Sequence, residues 1–149
     1  MTATDPEGLA FFNRLSITLR IELDPPAQRA APHMLNLVAS PDARVTAIAA
    51  DVLVLTDADE RELTNAEGQR VVLRAPSIHL QNLDAERRVE HRAPDGSAFT
   101  VRDLIAAIVE TERQVRSDTR WVGGVDVHHV FFEGIEQSPD GTWQVAWGS

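Results

Sequence analysis

The residues best suited to chemistry lie close together near the end of the sequence: Asp126, His128 and His129. Imidazole titrates near neutral pH and binds transition metals, and a carboxylate can share a metal ion with it. Residues 125–132 read VDVHHVFF, a β-branched and aromatic run that predicts a β-strand. Because side chains alternate along a strand, Asp126 and His128 are expected on one face, where both could ligate one divalent metal ion with a third residue.

Catalytic use of the same residues is the second possibility, with His128 or His129 acting as a general base beside Asp126 or Glu133. His129 and Glu133 share the other predicted face, but four residues along a strand span roughly 13 Å, too far for one ion. Two adjacent histidines on a strand could not join one site without a bulge. The structural alternative places one histidine in a hydrogen bond within the sheet and leaves the other exposed.

Trp121, Gly123 and Gly124 precede the predicted strand and, together with Glu133, are the candidate ligand-binding residues. Two adjacent glycines allow positive φ angles or the close approach of a ligand. The alternative is a tight turn that leads into the strand.

Two further candidates are weaker. The acidic segment over residues 57–67 lacks the glycine of an EF-hand calcium loop, where this chain has Glu62, so a solvated acidic loop is predicted. Trp143 and Trp147 fall on one face of the last predicted strand. They are expected to pack in the core rather than to bind a flat ligand.

Alternating apolar residues and turn motifs predict several strands. They cover residues 16–23, 44–56 (as one long strand or two short ones), 69–73, 77–80 and 87–92, the last as an exposed strand. Residues 138–141 read SPDG between two alternating runs, which predicts a β-hairpin at the end of the sequence.

The clearest predicted helix covers residues 100–116. Thr100 is a typical N-cap, and Asp103 three residues later completes a motif close to a capping box. The apolar residues fall on one face, which is expected to lie across the sheet that contains the hairpin. The opposite, polar face is predicted to hold Glu110, Glu112, Arg113 and Arg116.

A short N-terminal helix is predicted to begin at Asp5 and Pro6, residue types typical of an N-cap and a first helical position. Strands and helices do not alternate regularly along the chain. This pattern predicts an α+β fold: a single two-layer domain over residues 1–149, with a mainly antiparallel β-sheet packed by the long helix over about residues 100–116.

Composition excludes several functions. The formal net charge is −9, which argues against binding to a nucleic-acid backbone. All fourteen basic residues are arginines and there is no cysteine, so a thiol nucleophile, a Schiff-base lysine and a cysteine-ligated zinc are excluded. The first residues do not resemble a secretory signal, and no apolar run approaches the roughly 20 residues that span a bilayer. A soluble protein of the cytoplasm is therefore expected.

Three functional hypotheses follow. The first is a small acidic binding module that engages a protein partner. The second is a metal- or small-ligand-binding protein or an enzyme, with its site in the Gly123-Gly124-x-Asp126-x-His128-His129 segment; a divalent metal would suit it, although the sequence requires no cofactor. The third is self-association through the exposed strand predicted over residues 87–92.

Overall fold

Residues 3–24, 44–121 and 124–149 are described by the structure, a computed structural model. Three helices and twelve strands occur in this part of the chain. In chain order they are β1 (Ala3–Thr4), α1 (Pro6–Asn13), β2 (Ser16–Asp24), β3 (Arg44–Leu55), β4 (Glu60–Glu62), α2 (Asn65–Gly68), β5 (Val71–Arg74), β6 (Ser77–Asn82), β7 (Val89–Arg92), β8 (Phe99–Thr100), α3 (Val101–Val115), β9 (Arg120–Trp121), β10 (Gly124–Val125), β11 (Phe131–Gln137) and β12 (Trp143–Gly148). A 3₁₀ turn, Arg116–Asp118, follows α3 directly.

The main sheet has seven strands in the order β4-β3-β2-β11-β12-β6-β7. All neighbouring strands in it are antiparallel except β12 and β6, which run parallel. A second antiparallel sheet has the order β1-β5-β8, and β9 pairs with β10 in a two-stranded ribbon. The predicted α+β architecture with a mainly antiparallel sheet is confirmed.

The core lies between the seven-stranded sheet and α3, which packs against β3 and β6. Leu104 and Ile108 of α3 are buried, as are Trp143, Val145 and Trp147 on the inner face of β12. The predictions that the long helix crosses the sheet and that the tryptophans belong to the core are therefore confirmed. Two indole N–H groups, those of Trp143 and Trp147, have no hydrogen-bond partner among the described residues.

Local sequence signals explain where the helices begin. The Asp5 carboxylate accepts hydrogen bonds from the backbone N–H groups of Glu7 and Gly8, each at 3.1 Å, so α1 starts at Pro6 as predicted. At α3, the Thr100 hydroxyl accepts from the Asp103 N–H, and the Asp103 carboxylate accepts from the Thr100 N–H. The predicted capping box is present.

The C-terminal end of α1 is hydrogen-bonded to the hairpin formed by β11 and β12. The Asn13 side chain donates to the Ile135 carbonyl at 3.2 Å and accepts from the Ile135 N–H at 2.9 Å. β11 pairs with β2 only at Phe131, and its register shifts at a bulge that contains Gly134, with φ of 109°. Beyond this bulge the Asn13 amide forms the hydrogen bonds with Ile135 that a neighbouring strand would otherwise form. Phe12 packs edge-on against Phe132, with ring centroids 5.5 Å apart.

The remaining strand predictions differ from the structure mainly in their ends. Residues 44–55 form one long strand, and the acidic segment over residues 57–67 contains the short strand β4 and the helical turn α2. The strand predicted over residues 87–92 is β7, which lies at one edge of the seven-stranded sheet. No helix among the described residues is long and apolar enough to cross a bilayer.

Candidate functional site

The segment with Asp126, His128 and His129 is a turn rather than a strand. β10 ends at Val125 and β11 begins at Phe131, so the strand predicted over residues 125–132 is wrong. The reason is the Asp126 side chain, because its Oδ1 accepts hydrogen bonds from the N–H groups of His128, at 2.9 Å, and His129, at 3.1 Å. An aspartate that satisfies the N–H groups two and three residues ahead stabilises a turn in place of an extended chain.

The turn brings the three candidate residues together in an arrangement that the strand prediction did not foresee. Oδ2 of Asp126 lies 2.9 Å from Nδ1 of His129, so the carboxylate orients this imidazole. The His128 and His129 rings meet edge to face, with centroids 5.8 Å apart and planes at 84°. Asp126 is 4% exposed and the His129 side chain 29% exposed, so the pair leads from the interior to the surface.

Arg116, in the 3₁₀ turn after α3, forms hydrogen bonds with the backbone of this segment on its buried side. Its Nη1 donates to the carbonyl of His129 at 2.8 Å and to the carbonyl of Asp126 at 3.2 Å, and lies 3.8 Å from Oδ2 of Asp126. Its guanidinium carbon is 5.9 Å from the centroid of the Trp147 ring. One cation therefore contacts both the backbone and the carboxylate of the turn.

Arg116 is in turn held by Glu112, four residues earlier on α3. Oε1 of Glu112 accepts from Nε of Arg116 at 2.8 Å and lies 2.6 Å from Nη2, and both side chains are fully buried. Nδ2 of Asn82, in β6, donates to Oε1 and Oε2 of Glu112 at 2.8 and 3.1 Å. We call Asn82, Glu112, Arg116, Asp126 and His129 the buried polar cluster.

The prediction that Glu112 and Arg116 lie on the polar face of the helix is wrong. Both are buried because each neutralises the other, and a buried charge is tolerated when it is paired and hydrogen-bonded. The sequence did carry a signal: Leu104, Ile108, Glu112 and Arg116 are spaced by four, so all four lie on one stripe of the helix. Asn82 offers no such signal, since only the sheet order brings β6 to this place.

Asp126 is charged in the folded protein. Burial raises the pKa of its carboxyl group, but hydrogen bonds from the His129 and His128 N–H groups, the nearby Arg116 charge and the His129 ring together lower this pKa below its ordinary value. An ionised carboxylate at Nδ1 favours the imidazole tautomer that carries its proton on that nitrogen. The Asp126 carboxylate therefore fixes the orientation of the His129 ring.

The other predicted site residues are placed less favourably. The backbone of Trp121 pairs with Gly124 between β9 and β10, while Gly123 lies outside the described residues. Glu133 is exposed on β11, and its carboxylate lies against Gly148 of β12. Among the residues described, no group of three histidine, aspartate or glutamate side chains could hold a metal ion. The metal site at Asp126 and His128 stays a prediction.

A second candidate site is a groove in another part of the molecule. It has a volume of about 730 Å³ and lies between the β3–β4 edge of the sheet and the first half of α3. Its lining consists of Ala50, Asp51, Val52, Leu53, Glu62, Leu63, Arg102, Ile105 and Ala106. We call it the edge groove. It contains none of the buried polar cluster, so the chain has two separate candidate sites.

Comparison with known proteins does not add to this geometry. Neither the family models, nor the curated proteins, nor the solved structures gave a match to the chain.

Proposed function

We propose that this protein is a small acidic binding module that engages a protein partner through the edge groove. The observation that supports the proposal is the groove itself. It has a volume of about 730 Å³ and a mainly apolar lining, and it lies beside the acidic strand β4. Binding sites of this size usually combine an apolar floor with a few charged groups that fix the orientation of the ligand.

The groove suits an extended peptide segment. Among the described strands, only β4 pairs with this side of β3, and it does so only over Leu53–Leu55. The neighbouring part of β3, from Ala50 to Val52, lines the groove. A peptide that continues the line of β4 would form main-chain hydrogen bonds with β3 and place alternate side chains against Leu63 and Ile105.

Charge indicates the chemistry of the partner. Glu62 lines the groove with a single cation, Arg102, whereas Asp51 is paired with Arg20 at 3.0 Å. Four exposed carboxylates occur between residues 57 and 62. In a chain of net charge −9, these groups favour a segment with arginine or lysine beside apolar residues. We propose such a cationic segment of a protein as the partner, rather than a nucleic acid, and the cytoplasm as the location.

Selection of displayed random peptides against the immobilised protein tests the proposal. We expect enrichment of sequences that combine basic and apolar residues. Ala106→Arg fills the groove from an exposed helical position and should abolish their binding, whereas Ala10→Arg, at an exposed position of α1, should not. Glu62→Arg should weaken the same peptides and Glu86→Arg should not. No enrichment, or equal binding by all four variants, would contradict the proposal.

A metal- or small-ligand-binding protein or an enzyme, with its site at residues 123–129, is the second candidate. The specific observation in its favour is the Asp126 carboxylate, which orients the partly exposed His129 ring from a buried position. Groups of this kind, with a shifted pKa and a charged partner, are common at functional sites. Thermal-shift screening against small anions, nucleotides, sugars and cations tests it, since His128→Ala should remove any ligand-induced shift without changing the melting temperature of the free protein.

Self-association through β7 is also proposed. β7 is the edge strand opposite β4, and its residues Glu90 and Arg92 are exposed. Light scattering at several concentrations would show the mass rising if this edge pairs with a second copy, and a constant mass would exclude it.

A further inference from the structure

We propose that a pocket between α1 and β3 binds a small amphiphilic carboxylate, a molecule with an apolar chain and one anionic head group. The pocket has a volume of about 420 Å³, and its lining consists of Phe11, Arg14, Leu15, Val54 and Leu55. We call it the α1–β3 pocket. It shares no lining residue with the edge groove, so the inference goes beyond the peptide-binding function proposed above.

The lining of the α1–β3 pocket is apolar except for Arg14. Leu15 and Val54 belong to the core and are only 4% and 8% exposed, so they form the floor. Phe11 is half-buried, whereas Leu55 is 54% exposed. Pockets of about 300–1,000 Å³ with an apolar lining and few polar groups are typical of small-ligand sites. An apolar chain that covers Phe11 and Leu55 would remove their surface from water, which favours binding.

Arg14 gives the pocket its charge. It is the C-cap residue of α1 and is exposed, and no ion pair or side-chain hydrogen bond involves its guanidinium in the part of the chain that the structure describes. Although the chain has 23 aspartates and glutamates, no acidic side chain occurs among the described residues that line this pocket. A guanidinium can bind a carboxylate through two parallel hydrogen bonds. An anionic head group therefore fits the pocket better than a cationic one.

Glu60 limits where the head group can lie. It is opposite Leu55 in the pairing of β3 with β4, and opposite residues of an antiparallel pair share one face of the sheet. Glu60 is exposed and does not line the pocket. Because its charge repels an anion, we expect the carboxylate of the ligand at Arg14 and the apolar chain along Leu55.

Titration of the ¹⁵N-labelled protein with sodium octanoate, followed by two-dimensional NMR, tests the inference. We expect saturable shifts of the backbone amide signals of Leu15, Val54 and Leu55. Octylamine has the same chain length and the opposite charge, and octan-1-ol has no charge. Both should bind about fivefold more weakly than octanoate, as expected from the loss of one exposed ion pair.

Two substitutions with matched controls locate the head group and the chain. Arg14→Gln should weaken octanoate about fivefold and leave octan-1-ol unchanged, because it removes only the charge. Arg92→Gln, at an exposed position on the opposite edge of the sheet, should change neither. Leu55→Glu should abolish octanoate binding, whereas Leu83→Glu, at a leucine that is 53% exposed elsewhere, should not. All four positions are exposed, so the buried floor stays intact.

Three results would overturn the inference. They are equal affinities for octanoate and octylamine, amide shifts confined to the edge groove, and an affinity for octanoate that neither Arg14→Gln nor Leu55→Glu changes. Shifts that do not saturate would show only nonspecific contact with the apolar surface and would overturn it too. Peptide selection at the edge groove and ligand screening of His128→Ala use other residues, so their outcomes are independent of this one.

Discussion

Glu112 and Arg116 are one turn apart at the end of α3, and both side chains are fully buried. Removing one partner of such a pair leaves an uncompensated charge in the interior, which typically costs about 3–5 kcal/mol of stability. We therefore expect Glu112→Gln to lower the free energy of unfolding by this amount, measured by urea denaturation.

Glu110→Gln is the matched control for this substitution. Glu110 pairs with Arg113 on the same helix with a similar N–O distance of 2.8 Å, but that pair is exposed. Exposed pairs contribute about 0–1 kcal/mol, so the control should unfold near the urea concentration of the unmutated protein. Equal effects of the two substitutions would show that the Glu112–Arg116 pair is not buried in the folded protein.

Asp126 links stability to pH. Its pKa is lowered in the folded chain, so its charged form stabilises the fold above the unfolded pKa of about 3.9, and this contribution is lost as the pH falls through the folded pKa. The stability difference between the unmutated protein and Asp126→Asn should therefore be largest at neutral pH and shrink below about pH 4. Urea denaturation at pH 7, 5 and 3 measures this, and a difference that is constant over the three values would contradict it.

At the scale of single residues, the sequence identified Asp126, His128 and His129 but misassigned their local structure. The β-branched and aromatic neighbours indicated a strand. The side chain of Asp126 instead stabilises a turn, because it accepts hydrogen bonds from two backbone N–H groups. Strand propensity reflects packing on a sheet, and a local hydrogen bond can override it.

Asn13 is the contact that joins α1 to the hairpin, since it replaces a strand neighbour of Ile135. Asn13→Ala removes both hydrogen bonds and leaves a partly buried N–H and carbonyl without these contacts, so we expect a loss of about 1–3 kcal/mol. Asn13→Asp keeps the acceptor for the Ile135 N–H but places a carboxylate oxygen against the Ile135 carbonyl at the C-terminal end of α1, so it should not restore the lost stability. Thermal denaturation measures both variants, and an alanine variant as stable as the unmutated protein would contradict the prediction.

The helices and most strands could be predicted from sequence because their signals are local. Caps at Asp5 and Thr100 and alternation along β2, β3 and β12 depend on residues within a few positions of one another. The short strand β4 was missed because its three residues, Glu60–Glu62, are all exposed and have no apolar alternation. β4 forms a strand because it pairs with β3 in the folded protein, and its own three residues do not favour a strand.

For the whole molecule, the order of strands predicts how stability is distributed. β2, β11 and β12 lie inside the seven-stranded sheet, whereas β4 and β7 are its edges. Hydrogen exchange followed by mass spectrometry should therefore be slowest in peptides from the inner strands and fastest in those from β4. Protection of β4 equal to that of β12 would contradict this order, or would indicate that a second chain covers the edge.

The sequence predicted the two-layer class but could not predict the strand order, because sixty residues separate β6 from β12, with which it pairs. Neither strand has a residue pattern that identifies the other as its pairing partner. The position of the buried polar cluster depends on that pairing, since Asn82 ends β6 and reaches Glu112 only when the sheet is complete.

The position of β12 between β11 and β6 affects how fast the chain can fold. β4, β3, β2 and β11 form one part of the main sheet and β6 with β7 the other, and only β12 connects them. Until β12 docks, the inner edges of β11 and β6 both lack a neighbour, and the loop closure that brings them together is long. Sheets dominated by such distant pairings fold in milliseconds to seconds rather than microseconds. During that interval the open edges favour aggregation, so refolding yield should fall as the protein concentration rises.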